Sequence, residues 1–121
     1  MFFFACFTSS LIFSQDKQII EQARLLFENK KYSAAQSVLS QLTITSRTPE
    51  SMYLDARCSK ELYMSDAITL YNDLNETFPN NLYENAVYQD IADIYYRNKN
   101  HIKSIKYLEN VMHLSDENTF K

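Results

Sequence analysis

The 121 residues include no glycine, no tryptophan and only two prolines. Glycine lets a backbone turn tightly around a phosphate, a dinucleotide or a calcium ion, and lets a nucleophile sit on a strained elbow. Its absence excludes those sites. A chain nearly free of both helix breakers is predicted to be mostly helical. A surplus of one charge is missing too. Twelve Lys and Arg face fifteen Asp and Glu, a formal net charge of −3 with a pI near 5.3. Nothing here marks a nucleic-acid surface, which carries a basic surplus or stripe. What is plentiful is apolar: 45% of the residues, enough for one packed domain and too many for a disordered chain.

Groups for chemistry are equally scarce. The two histidines, His101 and His113, fall at different helical phases, so no metal is expected. Asp90 and Asp93 are three residues apart and share a helix surface. They read as a solvated face, because a carboxylate acid–base pair needs opposed groups across a cleft. No Ser–His–Asp set is arguable, and no cofactor or enzymatic activity is expected. Asn75-Glu76-Thr77 matches a glycosylation sequon, which matters only in a eukaryotic secretory pathway.

Residues 2 to 13 carry no charge, and the first charged residue is Asp16. The run is short of the roughly 20 residues that span a bilayer as a helix, and no transmembrane segment is expected. It fits the apolar core of a secretory leader, with Ser14-Gln15-Asp16 offering a cleavage point. The leader is placed at residues 1–15, without the usual cation before the core. Cys6 would leave with it. The remaining Cys58 has no intramolecular partner and reads as a small buried apolar residue.

Three segments of the chain repeat one pattern. They are Ala23–Leu42, Ala56–Leu74 and Ala92–Val111. Each starts with Ala in an apolar-spaced helix and has, after a polar break, a second small residue: Ala35, Ala67 and Ser104. Four residues on comes a large apolar residue (Leu39, Tyr71, Leu108), and three further on another (Leu42, Leu74, Val111). The i, i+3, i+4, i+7 spacing of Ile19, Ile20, Ala23, Leu26 and Phe27 makes one helical stripe. Tyr88, Ile91, Ala92 and Tyr95 make a second, and Ile105, Leu108, Val111 and Met112 a third. Thr48-Pro49 signals a helix start, Asn81 and Glu84 have capping-box spacing, and Ser65 stands where it would cap a fourth helix. Six helices are predicted, near 16–29, 32–45, 50–62, 65–77, 82–98 and 101–114, with no strand.

This arrangement resembles the tetratricopeptide repeat, in which two antiparallel helices alternate over about 34 residues with small residues at their closest contacts. The resemblance covers about residues 17–114, with repeats near 16–47, 48–80 and 81–114 and a tail at 115–121. Phe78-Pro79 stands where the family often has its closing proline, while Ala replaces the family's common Gly and its Trp is absent. The resemblance implies an all-α solenoid of three antiparallel helix pairs. It also implies a groove lined by the first helix of each pair. Family geometry maps that groove onto Lys17, Ile20 and Arg24, then Tyr53, Arg57 and Lys60, then Gln89, Asp93, Tyr96 and Arg97. Tyr and Arg are enriched at binding hot spots, so an extended peptide with acidic groups is the implied ligand. The Lys and Asn clamp of chaperone-binding members is not reproduced.

Two further features bear on partners. Arg97, Lys99, His101, Lys103 and Lys106 make the third repeat's turn and last helix basic, whereas acids cluster earlier in the chain. The last helix carries an apolar stripe followed by a short tail. Dimerisation, a folded-back tail or a longer array would each cover it, and the last is preferred. Taken together, the chain is similar to the exported tetratricopeptide-repeat proteins of bacterial envelopes, which act as protein–protein scaffolds. The competing expectation is the accessory region of a longer signalling protein or enzyme.

Overall fold

A computed structural model describes the backbone of residues 2–119 and the side chains of residues 14–111. Among the described residues the chain is all-α. It forms α1 (Phe2–Glu28), α2 (Tyr32–Leu39), α3 (Pro49–Glu61), α4 (Ala67–Thr77), α5 (Glu84–Arg97) and α6 (His101–Thr119), with one short 3₁₀ turn at Ile44–Ser46. Each helix packs against its successor. In addition α1 touches α3, and α3 touches α5. None of the described helices is long and apolar enough to cross a membrane.

The small residues of the repeat are buried. Ala23, Ala35 and Ala56 are fully buried, and Ala67, Ala92 and Ser104 nearly so. The Ser104 hydroxyl donates to the Ala92 carbonyl at 2.8 Å, joining the small residue of α6 to that of α5. Tyr107 stacks on Tyr95 beside this contact, with ring centroids 5.7 Å apart.

The turns inside the three pairs are built alike, and without glycine. After α1 the Lys31 amide donates to Leu26 and that of Lys30 to Phe27. After α3, Met64 donates to Ser59 and Tyr63 to Lys60. After α5, Asn100 donates to Tyr95 and Lys99 to Tyr96. This is the Schellman ending, which satisfies the orphan carbonyls and needs one left-handed residue. That residue is Lys30, Tyr63 or Lys99, with φ of 61°, 57° and 63°. Each costs about 1–2 kcal/mol that glycine would avoid.

Several helix ends differ from the expectation. The first helix begins at Phe2 rather than near residue 16. The expected leader, Cys6 included, falls mostly on residues whose side chains lie outside the described ones. The second helix stops at Leu39, not residue 45. There the Gln41 and Leu42 amides turn to carbonyls three residues back, and the Thr43 hydroxyl engages Thr45 and Ser46. Such local hydroxyl bonds compete with a helix. Ser65 does not cap the fourth helix, which starts at Ala67 behind Asp66. Asn81 does not form a capping box with Glu84. Its amide instead knots the preceding turn, and the fifth helix starts at Glu84 rather than near 82. The sixth helix runs to Thr119, so His113 lies within it and His101 opens it. The start at Thr48-Pro49 is as expected. The Thr48 hydroxyl accepts from the Ser51 amide and the Ser51 hydroxyl from that of Thr48.

Two apolar clusters form the core. One gathers Ile20 and Ala23 of α1, Leu39 of α2, Leu42 of the connection that follows it and Leu54 of α3, with Phe27 packed against it. The other gathers Ala56, Ala67, Tyr71, Leu74, Val87, Ile91 and Ile94. The apolar stripe of α6 departs from this pattern: Ile105 and Leu108 are exposed, while Met112 lies outside the described side chains. Cys58 is fully buried, and burial pushes its thiol from 9.0 up to about 12.

Candidate functional site

Aligning the helix pairs on their buried small residues brings the candidate residues into three equivalent sets. Ile20, Arg24, Phe27 and Leu39 belong to the first pair, and Tyr53, Arg57, Lys60 and Tyr71 to the second. Gln89, Asp93, Tyr96 and Leu108 belong to the third. Each set forms a slot between the two helices of its pair. The next pair's first helix presents one residue to that slot: Leu54 to the first and Asp90 to the second.

The second slot is polar. The Tyr71 hydroxyl donates to Asp90 Oδ2 at 2.8 Å, and that of Tyr53 to the same oxygen at 3.3 Å. Lys60 Nζ donates to Asp90 Oδ1 at 3.2 Å and lies 2.9 Å from Asp93 Oδ2. Arg57 Nε stands 3.8 Å from Asp90 Oδ2. Its guanidinium lies over the rings of Phe27 and Tyr53, at 5.1 and 5.8 Å. The Asp90 side chain is only 15% exposed and that of Lys60 11%, so this charge is buried and paired. Asp90 is therefore not part of a solvated face. Burial first, and the Asp90 charge second, hold the Tyr71 and Tyr53 hydroxyls above their ordinary value.

This geometry sorts the ten expected groove residues. Tyr53, Arg57, Lys60 and Asp93 come together, but around Asp90 rather than around an open groove. Tyr53 also stacks on Tyr83 with centroids 4.5 Å apart, so it packs between helices. Arg24 pairs with Glu50 at 2.6 Å, tying α1 to α3. Arg97 covers the Tyr63 ring at 4.6 Å and reaches the Lys60 carbonyl. Ile20 is core.

Open space remains at the two ends of this face. A cleft of about 450 Å³ is lined by Lys17, Ile20, Glu21, Arg24, Thr48, Pro49, Glu50, Leu82 and Tyr83. Its wall at Leu82 and Tyr83 is set by the α4–α5 turn. There Asn80 adopts a left-handed φ of 61°. The Asn81 amide donates to the Phe78 carbonyl and to Asn75 Oδ1, and its oxygen accepts from the Tyr83 amide. Leu82 is left 97% exposed. Asn75 Nδ2, the nitrogen of the sequon, is itself buried without a hydrogen-bond partner. A second opening, of about 190 Å³, is lined by Gln89, Ala92, Asp93, Tyr96, Ser104 and Leu108.

Sequence reasoning missed Asp90, Glu50, Leu82 and Tyr83. The first had a signal: an acid at the register position of Leu54, facing a slot that carries two cations. No family model matches the chain, and no curated protein or solved structure matches it.

Proposed function

We propose that this chain is a non-enzymatic protein–protein interaction scaffold of the bacterial cell envelope, exported through its apolar N-terminus. It is read as a tetratricopeptide-like solenoid of three antiparallel helix pairs that binds a partner peptide on the face of α1, α3 and α5. The observation that carries the binding reading is the cleft at Lys17, Arg24, Leu82 and Tyr83. Tyr83 and Arg24, the latter paired with Glu50, are of the residue types enriched at hot spots, and a hydrogen-bonded turn holds Leu82 beside them almost wholly in water. The alternation of packing, with α1 on α3 and α3 on α5, supports the solenoid reading.

The test is crosslinking capture from the native cells, with the wild-type chain and Leu82→Glu compared and the intact mass of each bait measured. A captured envelope protein lost with Leu82→Glu, at unchanged helicity, and a mature mass starting near Gln15 are expected. Capture indifferent to Leu82→Glu contradicts the cleft. An uncleaved bait contradicts export.

A further inference from the structure

Exposed apolar residues gather along one edge of the molecule. α1 touches α3, and α3 touches α5. Phe27, near the end of α1, lies under Arg57 of α3, and Arg97, at the end of α5, lies over Tyr63 just after α3. The turns that follow α1, α3 and α5 therefore share that edge. The middle turn presents Leu62, Tyr63 and Met64, and the start of α6 presents Ile102. Tyr63 is 79% exposed and Ile102 84%.

Cations surround these residues. The left-handed residues of the three turns are Lys30, Tyr63 and Lys99, all exposed, so an aromatic tip stands between two lysine tips. Lys31, Arg97 and Lys103 beside them are exposed too. Among the described residues, none of these five cations forms an ion pair. Arg97 and Lys103 lie over the Tyr63 and Tyr95 rings instead, which leaves their charge in place. The acids of this edge are Glu28, Glu61 and Asp66, and Arg57 takes up Glu61 at 3.9 Å. The opposite edge differs in charge. There Ile44 is 82% exposed, but residues 40–48 and 76–84 carry Glu76 and Glu84 against Arg47 alone.

Apolar tips ringed by lysine and arginine match a flat anionic bilayer. Tyrosine settles at the headgroup level, isoleucine enters the acyl boundary, and the cations meet the negative surface. A peptide or helix would instead need a groove to bury such residues, and these stand at protruding turns. Between the tips lies an opening of about 370 Å³, where Ser65, Arg97 and Asn98 offer donors to a lipid phosphate. We propose that this edge docks on the surface of an anionic bilayer. Tyr63 and Ile102 insert, and Lys30, Lys31, Arg97, Lys99 and Lys103 meet the headgroups. The docking does not rest on the Leu82 cleft, which lies toward the other edge and stays free to hold a partner.

The test titrates the full chain with vesicles of phosphatidylglycerol and phosphatidylcholine, and with vesicles of phosphatidylcholine alone. Binding to the anionic vesicles is expected to be at least tenfold tighter. The chain has no tryptophan, so Tyr63→Trp gives a sole reporter whose emission should shift to the blue on those vesicles. Lys30→Glu with Lys99→Glu should weaken binding at least tenfold, and Tyr63→Gly with Ile102→Ser at least fivefold. Glycine suits the left-handed position, so the turn is kept, and circular dichroism checks the helicity of each variant. Ile44→Ser, on the other edge, should leave binding unchanged. Equal binding to both vesicles, an unshifted emission, or a loss with Ile44→Ser as large as with the edge variants overturns the proposal. So does binding indifferent to the edge variants, as insertion of the apolar N-terminus alone would give. Equal affinity for soluble poly-glutamate, unaffected by Tyr63→Gly, also overturns it, since an acidic protein would then account for the charge.

Discussion

The junction between the first and second helix pairs and that between the second and third use one geometry with opposite chemistry. In each, the next pair's first helix presents a residue to a slot formed by two helices. At the first junction Leu54 enters an apolar slot. At the second Asp90 enters a slot of Tyr53, Arg57, Lys60 and Tyr71. Leucine needs only area and shape, and tolerates any partner of about the right size. A buried carboxylate needs its specific donors. It adds little net stability over an apolar replacement, yet removing one partner is costly. The first junction thus supplies adhesion, and the second discriminates among the residues it accepts.

The largest effect should come from moving the second junction's residue into the first. Leu54→Asp places a carboxylate among Ile20, Ala23 and Leu39 with no donor, and should cost on the order of 5 kcal/mol. That is enough to unfold a domain of ordinary stability, and thermal melting by circular dichroism reads it. Next comes Asp90→Ala, which strands Lys60 and Arg57 and should cost about 3–5 kcal/mol in urea denaturation. The comparison sharpens if the whole slot is converted. Asp90→Leu with Lys60→Met, Arg57→Leu, Tyr53→Phe and Tyr71→Phe should recover most of what Asp90→Leu loses alone, because buried ion pairs and their hydrogen-bond partners exchange for apolar groups at little net cost.

A smaller effect is expected at the hydroxyl. Tyr71→Phe keeps the ring and removes one bond to a charged acceptor, worth about 1.5–3 kcal/mol. It should also alter the alkaline limb of stability. The folded chain holds the Tyr71 proton above the ordinary value of 10.0, so the unfolded chain ionises first. Stability from this group is present below that pH and is lost as pH rises through it. Cys58 acts in the same direction between 9.0 and about 12. Cys58→Ala should therefore flatten the fall in melting temperature above about pH 9, and Tyr71→Phe above about pH 10. The equivalent of Tyr71 in the first junction, Leu39, contributes no such slope.

Much of this architecture is legible from periodicity. The six helices and the small residues at their contacts follow from i, i+3, i+4 spacing, because helix packing is a local pattern repeated along the chain. The helix ends were less legible. Thr43 and Asn81 act through side-chain bonds to near neighbours, which compete with helical bonds in ways that spacing does not record. Asp90 was missed for a different reason. Its burial depends on α3, α4 and α5 meeting, so its own helix shows only an acid on a polar-looking face. Of the groove residues, Tyr53 and Arg57 pack around Asp90, a contact between helices that the spacing within one helix does not record. Lys17, Ile20 and Arg24 line one open cleft, and Gln89, Asp93 and Tyr96 another.

The most direct test of matched slot chemistry is a double-mutant cycle on Asp90 and Lys60, read from urea midpoints of Asp90→Ala, Lys60→Met and the double variant. If Asp90 is held by the cations of its slot, the cycle gives a coupling of at least about 1.5 kcal/mol. Additivity within about 0.5 kcal/mol would mean that Asp90 sits there without being selected, and the account of the junctions would be wrong.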